Sequence, residues 1–228
     1  MKDYLRLVSR NDAWPDEIWH AGYTASQRTG GGQCFEFVKS TRDVPFPDDF
    51  APTGKEPVFI VQTLSLPLAT REILRMDEQS LAQVVVKLNV LEHLLSSAPP
   101  DVREGTIELT HLQNNVKLRA TEIDALYKVT AIAKGASESG LMTVEVKLKD
   151  PIIREQIEKQ ALSALKNPSF RFCIPVVLKR YAKGEVTALL FRRLDEKDVA
   201  ISDDGSEVVP LVVAYSAKYV FEPSIKAL

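Results

Sequence analysis

Residues 121–150 read TEIDALYKVTAIAKGASESGLMTVEVKLKD. Side chains of a strand alternate between its two faces. In the first apolar run Ile123, Ala125, Tyr127 and Val129 share one face, and Glu122 and Asp124 share the other. In the second, Val144, Val146 and Leu148 share one face, and Glu145 and Lys147 the other. Each run therefore predicts a strand with an apolar face and a charged face. Paired as a hairpin, they bring three carboxylates and one ammonium to one side of a sheet.

Crowding like charges is costly unless something neutralises them. A hard divalent cation does so, and magnesium needs only one or two carboxylates because it keeps several waters. Such an ion polarises a phosphodiester and acidifies water. Lys147, two residues from Glu145 on the same face, is placed to hold an attacking water or to neutralise a phosphate oxygen. The alternative is an ordinary amphipathic sheet with an Asp124–Lys147 salt bridge.

The connecting turn decides whether these groups meet. A loop centred on Ser137 sets Asp124 opposite residue 150, about 17 Å along the strand from Glu145. A turn between Lys134 and Gly135 sets Asp124 opposite Glu145. Ser137, Glu138, Ser139 and Gly140 are poor strand formers, which favours a lopsided loop over KGASESG that also brings the two acids together.

Outward from this stretch, residues 77–97 read as a helix. Asp77 or Ser80 caps it, Pro99 and Pro100 stop it, and Leu81, Val84, Val85, Leu88, Leu91 and Leu95 line one face. Glu92 falls off that face, either solvated or near a site. The run TIELTHLQNNVKLRATEIDALYKVTAIA alternates like two strands around a turn at Asn114-Asn115. Asp150-Pro151 opens a helix whose stripe is Ile153, Ile157, Ala161, Ala164 and Leu165. FCIPVVLKR and VTALLFRR follow as strands joined through Gly184, and ISDDGSEVVPLVVAYSAKYVF as a final hairpin turning at Asp204-Gly205. Up to about Pro67, YLRLV, QCFEFVKS and PVFIVQTLSL read as short strands, while Gly30, Gly31 and Gly32 lack the Lys and Ser/Thr of a phosphate-binding loop.

The charged residues in these strands resemble a known family. EID, a hairpin, E-V-K, an amphipathic helix and the apolar strand CIPVVLK, in that order, resemble the PD-(D/E)xK nuclease superfamily over roughly residues 80–193. Asp124 matches the motif Asp, Glu145 and Lys147 match its (D/E)xK, and Glu122 sits where some members carry a further acid. Gln156 and Gln160 resemble the Gln found in that helix in several branches. Ile123 stands where many members have Pro. The resemblance implies an α/β fold with a mixed central β-sheet flanked by helices, a restriction-endonuclease-like core over residues 76–228 and an N-terminal β-rich elaboration over residues 1–75. It implies a magnesium-dependent DNA endonuclease, with manganese as a substitute, in a prokaryotic restriction or phage-defence setting. Asp124, Glu145 and Lys147 would be catalytic, and Asp124, Glu145 and Glu122 would hold the metal. Partners would be DNA, a second copy in a homodimer and a defence-system protein. The rival reading is a non-catalytic nucleic-acid-binding or assembly subunit of a defence complex.

Composition agrees with such a chain. The 228 residues are 45% apolar and 26% charged, enough to bury a core. No apolar run approaches a membrane span, and the polar N-terminus does not read as a signal peptide. Cys34 and Cys173 make no metal or redox spacing, and His20, His93 and His111 form no zinc pair. The expected location is the cytoplasm. A net charge of −2 hides an uneven distribution: residues 147–193 hold eleven Lys/Arg and four acids, net +7, so the remainder carries −9. Lys149, Gln156, Lys179, Arg180 and Lys183 are the candidate nucleic-acid contacts on this basic block.

Overall fold

A computed structural model describes residues 10–27, 35–73, 77–118, 121–202 and 205–225. YLRLV, Cys34 and Gly30 to Gly32 lie outside the described residues. The chain divides into two compact units, residues 1–51 with 149–154, and residues 52–148 with 155–228. Residues 52–75, read from sequence with the N-terminal region, thus belong to the larger unit.

The smaller unit holds α1 (Arg10–Ala13), α2 (Asp16–His20) and the antiparallel pair β1 (Tyr23–Gln27) and β2 (Phe35–Lys39). Trp14 is buried, with its ring edge-on to Phe46 at 5.3 Å. Asn11 brackets Phe46, donating to its carbonyl and accepting from its N–H. Asp48 and Asp49 accept from the N–H groups of Ile152 and Arg154, so the segment after the second charged strand is pinned here. Consequently the next helix starts at Arg154, not at Asp150-Pro151 as the cap pattern predicts.

The larger unit is a mixed α/β structure built on an eight-stranded sheet. Its strands are β3 (Val58–Gln62), β4 (Thr106–Leu118), β5 (Thr121–Ala133), β6 (Ala136–Lys147), β7 (Phe172–Ala182), β8 (Glu185–Phe191), β9 (Leu194–Asp195) and β12 (Val213–Glu222). Across the sheet the order is β3-β12-β8-β7-β6-β5-β4, with β9 on β7. Strands β4, β5 and β6 form an antiparallel meander. Strand β6 is parallel to β7, a pairing that requires a crossover. Helix α7 (Arg154–Leu165) lies in that connection.

Helices α3 (Leu68–Ile73) and α6 (Pro100–Arg103) flank α4 (Glu78–Lys87) and α5 (Val90–Ser97) in the chain. Leu81, Val84, Val85, Leu91, Leu94 and Leu95 from α4 and α5 form one core with Ala125, Tyr127, Val129, Met142, Val144, Val146, Val176 and Leu178. The single helix expected over 77–97 is two, because Asn89 sits in the left-handed region at φ 52°. Asp77 caps α4 as read, accepting from Ser80 N at 2.7 Å. Strand β4 runs straight through Asn114-Asn115, and a register shift between His111 and Gln113 absorbs the irregularity. The link to β5 falls at residues 119–120, outside the described residues. The C-terminal region is not one hairpin: β10 (Ala200–Ile201) pairs with β11 (Glu207–Val208), while β12 inserts between β8 and β3. Asp204 of the expected turn lies outside the described residues.

Candidate active site

The turn between β5 and β6 assembles the charged face. Ala133 pairs with Ala136, and Lys134 and Gly135 alone form the connection, at φ 50° and 81°. Two central residues at positive φ are the signature of a type I′ hairpin, whose twist matches that of the flanking strands. The lopsided loop is therefore not formed. Ser137 to Gly140 are strand residues opposite Ile132 to Val129. A one-residue slip would turn β6's apolar set away from α4 and α5; packing selects the register over local propensity. Ala125 faces Val144 in this register, so one step further Asp124 stands beside Glu145.

Glu145 and Lys147 are buried, 3% and 7% exposed. Lys147 Nζ lies 2.5 Å from Glu145 Oε1. Helix α7 covers this face, and its Gln156 Nε2 donates to Glu145 Oε1 at 2.5 Å. Gln160, on α7's buried stripe, donates to Glu145 Oε2 and, at 2.9 Å, to the Glu122 carbonyl. Both glutamines singled out in the sequence thus converge on Glu145. Asp124 Oδ2 accepts from Val146 N at 2.7 Å. The salt bridge expected as the alternative, Asp124–Lys147, is replaced by Lys147–Glu145.

Burial and the neighbouring Glu145 push the Asp124 carboxyl up to about 7, although the Val146 N–H and Lys147 oppose the shift. Burial disfavours the Lys147 ammonium, but Glu145 and Glu78 outweigh it and hold the group above its usual range. Glu78 is the residue that sequence reasoning missed. It stands in the first turn of α4, accepts from Leu148 N at 3.4 Å and acts electrostatically on both Asp124 and Lys147. Its only sequence signal is a carboxylate just after an N-cap, which serves any helix start.

The other candidates separate. Glu122 is exposed, and its carbonyl rather than its carboxylate is held by Gln160. Among the described residues, no group of three His, Cys, Asp or Glu side chains is arranged to hold a metal. Two carboxylates of which one is driven toward neutrality still suit a magnesium ion, which takes one or two. Lys179 is buried, 6% exposed, in register with Lys147 and with its ammonium 5.1 Å from the Tyr181 ring. It does not lie on an open basic surface. Lys149 and Lys183 are exposed and Arg180 is half-buried. Much of the basic block is neutralised: Lys159 pairs with Glu155, Lys166 with Glu207, Arg192 with Asp198, and Arg193 with Glu138. Glu92 is half-buried, and none of the hydrogen bonds of this site reaches it. Its Oε2 is buried without a hydrogen bond, as is the Tyr127 hydroxyl near it.

No helix among the described residues is long and apolar enough to cross a membrane. Compared with protein-family models, curated proteins and solved structures, the chain matches none.

Proposed function

We propose that the chain is a metal-dependent endonuclease of the PD-(D/E)xK type, hydrolysing phosphodiester bonds of DNA. The observation that carries this reading is the type I′ turn that sets Asp124 beside the Glu145–Lys147 pair, with Asp124 raised to about 7 by burial and Glu145. Carboxyl groups held so far above their ordinary range cluster at functional sites. The order of elements, with EID and E-V-K on adjacent strands, then α7 and the apolar β7, also supports it.

Asp124 and Glu145 would hold magnesium, or manganese in its place, and the chemistry the ion supplies when bound is charge neutralisation and a more acidic water. Lys147 is fixed by Glu145 and keeps further N–H donors for a phosphate oxygen or the attacking water. Gln156 and Gln160 orient Glu145, and Glu78 adds negative potential around Lys147. A prokaryotic restriction or phage-defence role, a defence-system partner and a cytoplasmic location belong to the same reading.

One observation favours the non-catalytic subunit instead. Both Glu145 oxygens already have donors, so the network is complete on its own terms. Supercoiled plasmid separates the two readings. The nuclease nicks or linearises it with magnesium and not with EDTA, and Glu145→Ala or Lys147→Ala lowers the rate at least about 100-fold, the scale on which a single charge-stabilising group acts. Wild-type rates in both variants exclude the nuclease; binding without cleavage in any divalent metal supports the subunit.

A further inference from the structure

We infer that the open edge of the large sheet, strand β3, is a self-association surface that pairs with β3 of a second copy. The inference is independent of the proposed chemistry. The sheet has two edges, β3 and β4. Strand β4 is defended as natural edges are: it has two register shifts, and Glu108 and Lys117 are exposed on it. Strand β3, VFIVQ, has no charge, proline or bulge.

Its parallel pairing with β12 fixes which backbone groups are used. Lys218 N donates to Pro57 O and Thr63 N to Glu222 O, both at 2.9 Å. By alternation, Phe59 and Val61 face β12, and the N–H and C=O of Val58, Ile60 and Gln62 point away from it. No strand pairs with that side among the described residues. Val58 and Ile60 are also 58% and 65% exposed, and Leu64 and Leu68 extend the apolar surface past the strand end. Pro57 offers no protection, because its carbonyl is on the β12 side.

A two-fold contact must be complementary to itself. Two antiparallel β3 strands centred on Ile60 set Val58 opposite Gln62 and Ile60 opposite its own copy, with no charge facing a like charge. Antiparallel strand addition runs the two copies in opposite directions, so the Lys147 ends of their β6 strands lie at opposite ends of the joined sheet. Neither copy completes the other's site.

Sedimentation equilibrium of the full chain tests this. Wild type is expected to be a dimer, Ile60→Lys a monomer with an unchanged circular-dichroism spectrum, and Ile107→Lys on the β4 edge still a dimer. In a Cys34→Ser background, Ile60→Cys should form an intermolecular disulfide on oxidation, since facing Cα atoms lie about 5.5 Å apart in a hydrogen-bonded pair. Val58→Cys alone should not cross-link. A monomeric wild type, an Ile60→Lys dimer, or cross-linking by Val58→Cys but not by Ile60→Cys overturns the inference. Any cleavage activity per chain should be equal in wild type and Ile60→Lys.

Discussion

Two glutamates near this sheet are treated differently, Glu145 buried and Glu92 half-buried. Glu145, on β6, receives Lys147, Gln156 and Gln160. Glu92, on α5, leaves Oε2 without a partner beside the equally unpartnered Tyr127 hydroxyl, and burial pushes its carboxyl up. Burial alone therefore does not mark a site. What distinguishes Glu145 is that its own strand and helix α7 each bring hydrogen-bond donors to it. At Glu92, burial raises the carboxyl against the opposing charge of His111.

The contrast can be broken by mutation. The largest stability effect is expected at Lys147. Removing one partner of a buried pair leaves the other uncompensated, so Lys147→Ala should cost about 3–5 kcal/mol in urea unfolding at pH 7. A loss under about 1 kcal/mol would mean that water reaches Glu145 freely.

Asp124→Asn should act in the opposite direction. Folded Asp124 keeps its proton up to about pH 7, whereas the unfolded carboxyl loses it near 3.8. Between those values the folded state binds more protons, so this group lowers stability as pH rises, by up to a few kcal/mol (roughly 1.4 per unit). Thermal melts in EDTA should show Asp124→Asn at or above wild type at pH 8, with a flatter fall from pH 4 to 7. Magnesium or calcium should raise the wild-type melting temperature more than the variant's. A variant that melts well below wild type in EDTA, with neither protein responding to metal, makes the cluster purely structural.

Glu92→Gln should change stability by no more than about 1 kcal/mol, since Glu92 Oε2 has no hydrogen bond to lose. Plasmid cleavage should be unaffected. An effect on cleavage comparable with that of Glu145→Ala would join the two regions into one functional network.

The smallest effect concerns the exposed cations. Replacing Arg180 and Lys183 with alanine should weaken DNA binding several-fold and lower the slope of log affinity against log salt by about one or two. Lys179→Ala should instead lower stability, because that side chain is buried. An unchanged salt slope places the DNA contacts elsewhere.

Periodicity made much of this legible. The apolar stripes of α4, α5 and α7, the strand character of β5 to β8 and the sharing of one face by Asp124, Glu145 and Lys147 follow from spacings of 3.6 and 2. These are local properties, dictated by which side chains each element must bury. The hairpin register, the break at Asn89, the start of α7 and the destination of β12 were not local. Each depended on competition between a residue's own preference and packing elsewhere. Ser137 to Gly140 became strand because β5 and the core held them there. The basic block illustrates the same point for charge. Sequence counts eleven cations, but only the fold brings Glu138, Asp198 and Glu207 to them. Glu78 reaches the site because packing of α4 carries its first turn to the end of β6, across 70 residues. Sequence alone determined which residues can be charged and which face each strand buries. Tertiary structure decided which charges meet, because electrostatic energy depends on distance in space and burial.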